Sequence, residues 1–103
     1  MTTLTDHERH VMRHALGLTN RKVAYRNRFI SGGSDIDVWR SLVSRGLAHE
    51  HKGTDEQFPR FCVRLWGVLA VLRDGERLDG EEADYVMRLE ASLAEPAAIE
   101  VAA

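Results

Sequence analysis

The chain has 103 residues, 44% of them hydrophobic and 29% charged, with one cysteine and a formal net charge of −2. That composition excludes a disordered chain and a disulfide scaffold and fits one globular domain with a modest core, which oligomerisation would help to stabilise. The longest apolar run, Phe61–Leu72, carries Arg64 and is too short to cross a bilayer, and no secretory leader opens the sequence, so a cytoplasmic protein without membrane contact is expected.

The charge is unevenly spread. Residues 1–52 hold nine Lys/Arg against five Asp/Glu, and residues 53–103 hold five against eleven, a balance of +4 and −6. A basic half can face phosphates, and an acidic half can face a protein or water.

A first helix is expected from Thr5 or Asp6, either of which can cap it. At about 100° per residue, Leu4, Val11, Met12, Ala15 and Leu16 share one arc, Arg9 and Arg13 lie opposite, and Gly17 is the stop. The segment "TNRKVAYRNRFISGGS" has little helical period and is the most basic of the chain, with Arg21, Lys22, Arg26 and Arg28. Tyr25 and Phe29 are spaced so that one helical turn would put both in the core.

Ser34 opens the next helix, with Asp37 placed as in a capping box. Ile36, Trp39, Leu42, Val43 and Leu47 share its apolar arc, while Arg40, Ser41, Ser44 and Arg45 share the other, and Gly46 closes it. Two short alternating stretches follow around the turn "GTDEQ", a β-hairpin over Leu47–Leu65. In its second strand Phe61, Val63 and Leu65 point one way and Arg60, Cys62 and Arg64 the other. "WGVLAVLRDG" reads as a short buried helix stopped at Asp74-Gly75. Trp39, Trp66, Phe29 and Tyr25 read as packing between helices and hairpin. A last helix is expected from Asp79, with Glu82 completing a capping box, a stripe of Val86, Leu89 and Leu93 flanked by Tyr85 and Met87, and a stop at Pro96.

The order is helix, basic connector, helix, hairpin, helix, helix. The fold class expected is mostly α with a small β-hairpin, an α+β domain like a winged helix-turn-helix, because the elements are too short and few for a βαβ sheet. Residues 1–75 would form that domain, 76–95 a helix packed on it or on a partner, and 96–103 a loose tail.

The segments "RHALGL" (Arg13–Leu18), "YRNRF" (Tyr25–Phe29), "WRSLVSRGLA" (Trp39–Ala48) and "FCVRLWGVLAVL" (Phe61–Leu72) together resemble a family of small phage and prophage proteins. There an Arg-His-x-Leu-Gly-Leu segment precedes Tyr-Arg-Asn-x-Phe, a helix ending in Leu-Val-x-x-Gly-Leu, and a strand Phe-x-Val-Thr-x-x-Gly. The resemblance covers roughly residues 10–72. It implies a winged-helix shape and a bacterial host cell, and no single activity. This chain has Arg64 where the family tends to have Thr, "GTDEQFPR" in place of a Gly-rich approach, and an added acidic helix from Asp79.

Two functions from different classes fit these residues. In the first, a DNA-binding protein, possible as a regulator, holds duplex phosphates with Arg21, Lys22, Arg26 and Arg28 and reads the groove with Arg40, Ser44 and Arg45. Asp35 and Asp37 at the start of the reading helix oppose phosphates. In the second, a protein-interaction module binds a host or phage protein, or a second copy, through Tyr85, Val86, Leu89 and Leu93. His7, His10 and His14 share a helical arc and His49 and His51 share a strand face, yet one Cys and no tight ligand set argue against zinc. Cys62 sits in an apolar run as a core residue, "GGS" lacks the lysine of a P-loop, and no acid pair lies in an apolar setting. No enzyme, metal or cofactor is expected.

Overall fold

The computed structural model describes residues 3–52 and 57–94. Most of the expected "GTDEQ" turn, the stop at Pro96 and the tail lie outside the described residues.

Helix α1, Asp6–Ala15, begins where its capping residues dictate. The Thr5 hydroxyl accepts the Glu8 N–H at 3.0 Å, and the Glu8 carboxylate accepts the Thr5 N–H at 2.9 Å. Its end is a Schellman turn. Gly17 takes φ +77°, its N–H donates to His14 at 3.0 Å, and the Leu18 N–H donates to Arg13 at 2.9 Å. Helix α2, Asp35–Ser44, ends the same way, with Gly46 at φ +76° and the Leu47 N–H donating to Leu42 at 3.0 Å. Each Gly-Leu step therefore reverses the chain and returns a leucine to the core. The start of α2 differs from expectation. Ser34 is the cap, but it has helical backbone angles and its side chain caps nothing, so the Ser34–Asp37 capping box does not form.

The connector between the helices is extended. Strand β1, Val23–Ala24, and strand β2, Phe29–Ile30, replace the helical turn expected at Tyr25–Phe29. As a consequence Phe29 packs on the core while Tyr25 is exposed. Strands β3, Ala48–His51, and β4, Arg60–Val63, form the expected antiparallel hairpin, and β2 adds to the free edge of β4 to give the order β2-β4-β3. Helix α3, Leu65–Val71, strand β5, Arg77–Leu78, and helix α4, Gly80–Ala94, complete the chain. β5 pairs in parallel with β1, so the start of the connector is clamped to the segment before α4. The described residues thus form a small α+β fold of four helices and small sheets, and no helix among them is long and apolar enough to cross a membrane.

Register fixes the two faces of the three-stranded sheet. Phe29, Phe61 and Glu50 stand across from one another on one face; Ile30, Arg60 and His51 stand on the other. The first face carries the core. Trp39 of α2 stacks on Phe61 at 5.4 Å between ring centroids and meets Phe29 at 5.3 Å. Cys62 is fully buried, as its apolar run predicts, although it shares the strand side of Arg60, because α4 lies over that part of the second face with Tyr85 against it. Two expected core positions are also corrected. Tyr25 is exposed, and Trp66 is 66% exposed, because α3 buries only Gly67, Val68 and Val71 and turns Trp66 and Leu69 outward. On α4, Asp79 accepts the Glu81 N–H at 3.3 Å, and Val86 enters the core.

Arg13 was expected on the polar side of α1, yet it is buried. Both its terminal nitrogens donate to the Glu76 carboxylate at 2.6 Å, one donates to the Val71 carbonyl at 2.8 Å, and the pair is 10% and 8% exposed. One turn earlier, Arg9 donates to the Ala70 carbonyl at 2.9 Å. Two arginines of α1 thus satisfy carbonyls that the end of α3 leaves unpaired. Arg13 and the Arg73 N–H hold the Glu76 carboxyl at about 2, well below its ordinary 4.5. Because the folded value is depressed, the pair's stabilisation is full above the ordinary value and is lost as pH falls toward 2. Glu76→Ala should cost about 3 kcal/mol in urea unfolding at neutral pH, since it strands a buried guanidinium. It should also flatten the fall in stability of the parent protein between pH 4.5 and 2.

Candidate nucleic-acid interface

The connector is aimed by its own fixings. Asn27 is buried, its amide nitrogen donates to the Val63 carbonyl at 2.9 Å, and its amide oxygen accepts the Val63 N–H at 2.7 Å. A side chain thus makes the hydrogen-bond pair that a neighbouring strand would make. With Asn27 turned inward, its neighbours Arg26 and Arg28 are left on the outer side of the extended chain. The Arg28 N–H donates to the Ala15 carbonyl at 3.2 Å, and the Arg26 guanidinium donates to the His14 carbonyl at 2.7 Å. Both bonds satisfy the end of α1. Tyr25 packs on Gly17, where even a Cβ would come within 2.7 Å of the ring Cδ1. Arg21 lies 4.6 Å and Arg26 5.4 Å from the Tyr25 ring centroid, cation–π contacts that gather positive charge around one aromatic ring.

Beside this ridge lies an open groove of about 700 Å³. Tyr25, Arg26 and Arg28 form one wall, Arg60 and His51 of the second sheet face form its floor, and Glu82 and Tyr85 of α4 form the other wall. Among the described residues, the side chains of Arg28 and Arg60 bond to no other residue, so these cations stay available. The floor is anchored by the Tyr85 hydroxyl, 3.2 Å from His51 Nε2. Burial under α4 lowers the pKa of His49 and His51, with Arg64 acting in the same direction on His49 and with His49 and Arg60 doing so on His51. Burial, with Asp79 and Glu81 nearby, raises that of Glu82.

The expected reading helix is occupied differently. Arg40 is paired with Glu50 at 3.2 Å, and Arg45 bonds to Glu8 and to Ser41. The Ser44 hydroxyl donates to the Ser41 carbonyl at 2.8 Å. Of the seven basic-face residues, the structure brings Arg21, Lys22, Arg26 and Arg28 onto one connector, whereas Arg40, Ser44 and Arg45 stand on α2 with internal partners. The α4 stripe faces the chain's own fold. Val86 is in the core, Tyr85 is tied to the sheet, and Leu89 and Leu93 are partly buried. Sequence reasoning missed Asn27, Arg60 and Glu82. The period-two pattern marked Arg60 as outward, but nothing local says that β2 would lie beside it.

The histidines meet only in pairs, His49 with His51 at 5.2 Å and His10 with His14 at 6.4 Å between ring centroids. His7 bonds to Asp35 at 3.0 Å, His14 packs edge-on against Phe29, and no group of three or more His, Cys, Asp or Glu among the described residues is placed to hold a metal. Burial pushes the Cys62 thiol up, away from a reactive thiolate. Comparison with protein-family models, with curated proteins and with solved structures finds no match to this chain.

Asn27→Ala should destabilise the fold by about 3 kcal/mol, because it leaves the buried Val63 N–H and carbonyl unpaired. Amide hydrogen exchange should speed up at Val63 and at Arg28, whose N–H bonds to α1, more than in α2.

Proposed function

We propose that this protein binds nucleic acid through the connector and the sheet floor, with Arg21, Lys22, Arg26, Arg28 and Arg60 meeting the phosphates. The observation that carries the reading is the groove in which Arg26, Arg28 and Arg60 converge beside Tyr25. Phosphate contacts from Arg and Lys supply most of the affinity in such interfaces. The helices and the β3–β4 hairpin are compatible with a winged-helix arrangement, with the hairpin as wing. The surface favoured for binding is nonetheless the connector and not α2, whose Arg40 and Arg45 would first have to leave Glu50 and Glu8. A small phage or prophage DNA-binding protein acting in a bacterial cytoplasm remains the setting that the sequence resemblance supports.

Fluorescence anisotropy with labelled oligonucleotides across a salt series tests this. Micromolar binding that weakens steeply with salt is expected. Arg28→Ala with Arg60→Ala should reduce the slope of log K against log salt by about 1.5, while Arg40→Ala leaves it unchanged. Binding that is absent at low salt, or insensitive to Arg28 and Arg60, would end the reading.

A second reading, a protein-interaction module, is favoured by the outward face of α3, where Trp66 and Leu69 are exposed one turn apart. On this reading Trp66→Ser with Leu69→Ser should leave thermal stability and oligonucleotide binding intact and remove any self-association seen by sedimentation velocity.

A further inference from the structure

We infer that the groove and the sheet face beside it take an unpaired strand of nucleic acid, with phosphates on Arg28 and Arg60 in the groove and a base on the Phe58 ring next to it. This rests on the nucleic-acid reading above and adds the state of the strand. Among the described residues, α4 reaches over Cys62 and, with Tyr85, as far as His51 on this face. There Ile30 stands directly across from Arg60 and is 62% exposed. Phe58 stands at the bend that leads into β4, two residues before Arg60, and the pairing of β2 with this segment runs on past Arg60, the Ser31 N–H donating to the Pro59 carbonyl at 2.9 Å. The Phe58 ring is 53% exposed and rests on Gly32, where an added Cβ would sit 3.3 Å from it. An exposed aromatic ring, an exposed aliphatic side chain and guanidinium groups that, among the described residues, hold no ion pair are what a splayed strand requires: a surface for bases and charge for phosphates.

The shape favours the single strand over the duplex. The groove is recessed between the connector and α4, and a duplex keeps its bases stacked inside and offers such a recess only its backbone. An unpaired nucleotide can turn a base inward, where the Glu82 carboxyl on the α4 wall can accept from an exocyclic amino group. The duplex-reading alternative is weakened by α2 itself. Its first turn carries Asp35 and Asp37, and Arg40 and Arg45 are held by Glu50 and Glu8.

The test uses the full chain and two fluorescein-labelled probes, a twenty-nucleotide single strand of mixed, non-self-complementary sequence and a duplex of twenty base pairs, each titrated at low and moderate salt. The single strand should bind at least about tenfold more tightly than the duplex. Phe58→Ala should weaken single-strand binding about tenfold and leave duplex binding unchanged, with Phe58→Tyr restoring it. Arg28→Ala with Arg60→Ala should weaken both. If the duplex binds as tightly as the single strand, or Phe58→Ala changes nothing, the strand assignment is overturned, and a loss on Arg28→Ala with Arg60→Ala would show that the nucleic-acid reading survives it. If neither probe binds, both fall. Phe58 and Arg60 are exposed, so far-UV circular dichroism of the variants should match the parent.

Discussion

The double hydrogen bond between Asn27 and Val63 is the constraint on which the candidate interface depends. Val63 ends β4, and its backbone groups would be unpaired inside the fold without a partner. Asn27 supplies both a donor and an acceptor, as a peptide unit does, and so stands in for a strand residue. Once that side chain points inward, the extended chain leaves Arg26 and Arg28 outward. The same bond brings β2 into register on β4, with Ile30 opposite Arg60. Position and charge of the groove therefore follow from one buried amide.

Arginine in this chain serves the backbone as much as the surface. Arg9, Arg13 and Arg26 each donate to carbonyls at helix ends, where the partial negative charge of the helix favours a cation. Arg40, Arg45 and Arg64 are held by Glu50, Glu8 and Glu90. The basic half of the sequence is consequently less basic as a surface than its counts imply. Positive charge is concentrated where the connector and β4 meet, because among the described residues Arg28 and Arg60 are held in no ion pair there. One pair also joins the two oppositely charged halves: Arg13 of the first helix meets Glu76 of the acidic half, and the β1–β5 pairing follows directly beside it.

The role of α4 follows from the sheet having two usable faces. The face with Phe61 and Val63 is closed by α1 and α2. The other would expose Cys62 and the two histidines, and α4 covers it with Tyr85 and with Glu90 paired to Arg64. Cover stops short of Ile30 and Arg60. The groove is the uncovered remainder, and its far wall is the first turns of the helix that does the covering.

Local rules determined a good part of this protein. The cap of α1 at Thr5, the two Gly-Leu helix ends, the inward set of α2 and the hairpin about the polar turn were legible because each depends on residues within one or two turns of chain. The basic character of residues 21–28 was legible for the same reason. What only the tertiary structure decided depends on partners far away in sequence. The connector is strand and not helix because β4 and β5 offer it hydrogen bonds. The element that buries Cys62 is α4, which no local pattern names, and Trp66 is exposed because α3 uses its small residues to pack. Arg40 and Arg45 look like free cations on a helix wheel, and Arg13 like a solvated one, until Glu50, Glu8 and Glu76 arrive beside them. Hydrophobic period reports which side of an element prefers water, but it carries no information about which other element will stand on that side, and that choice placed the site.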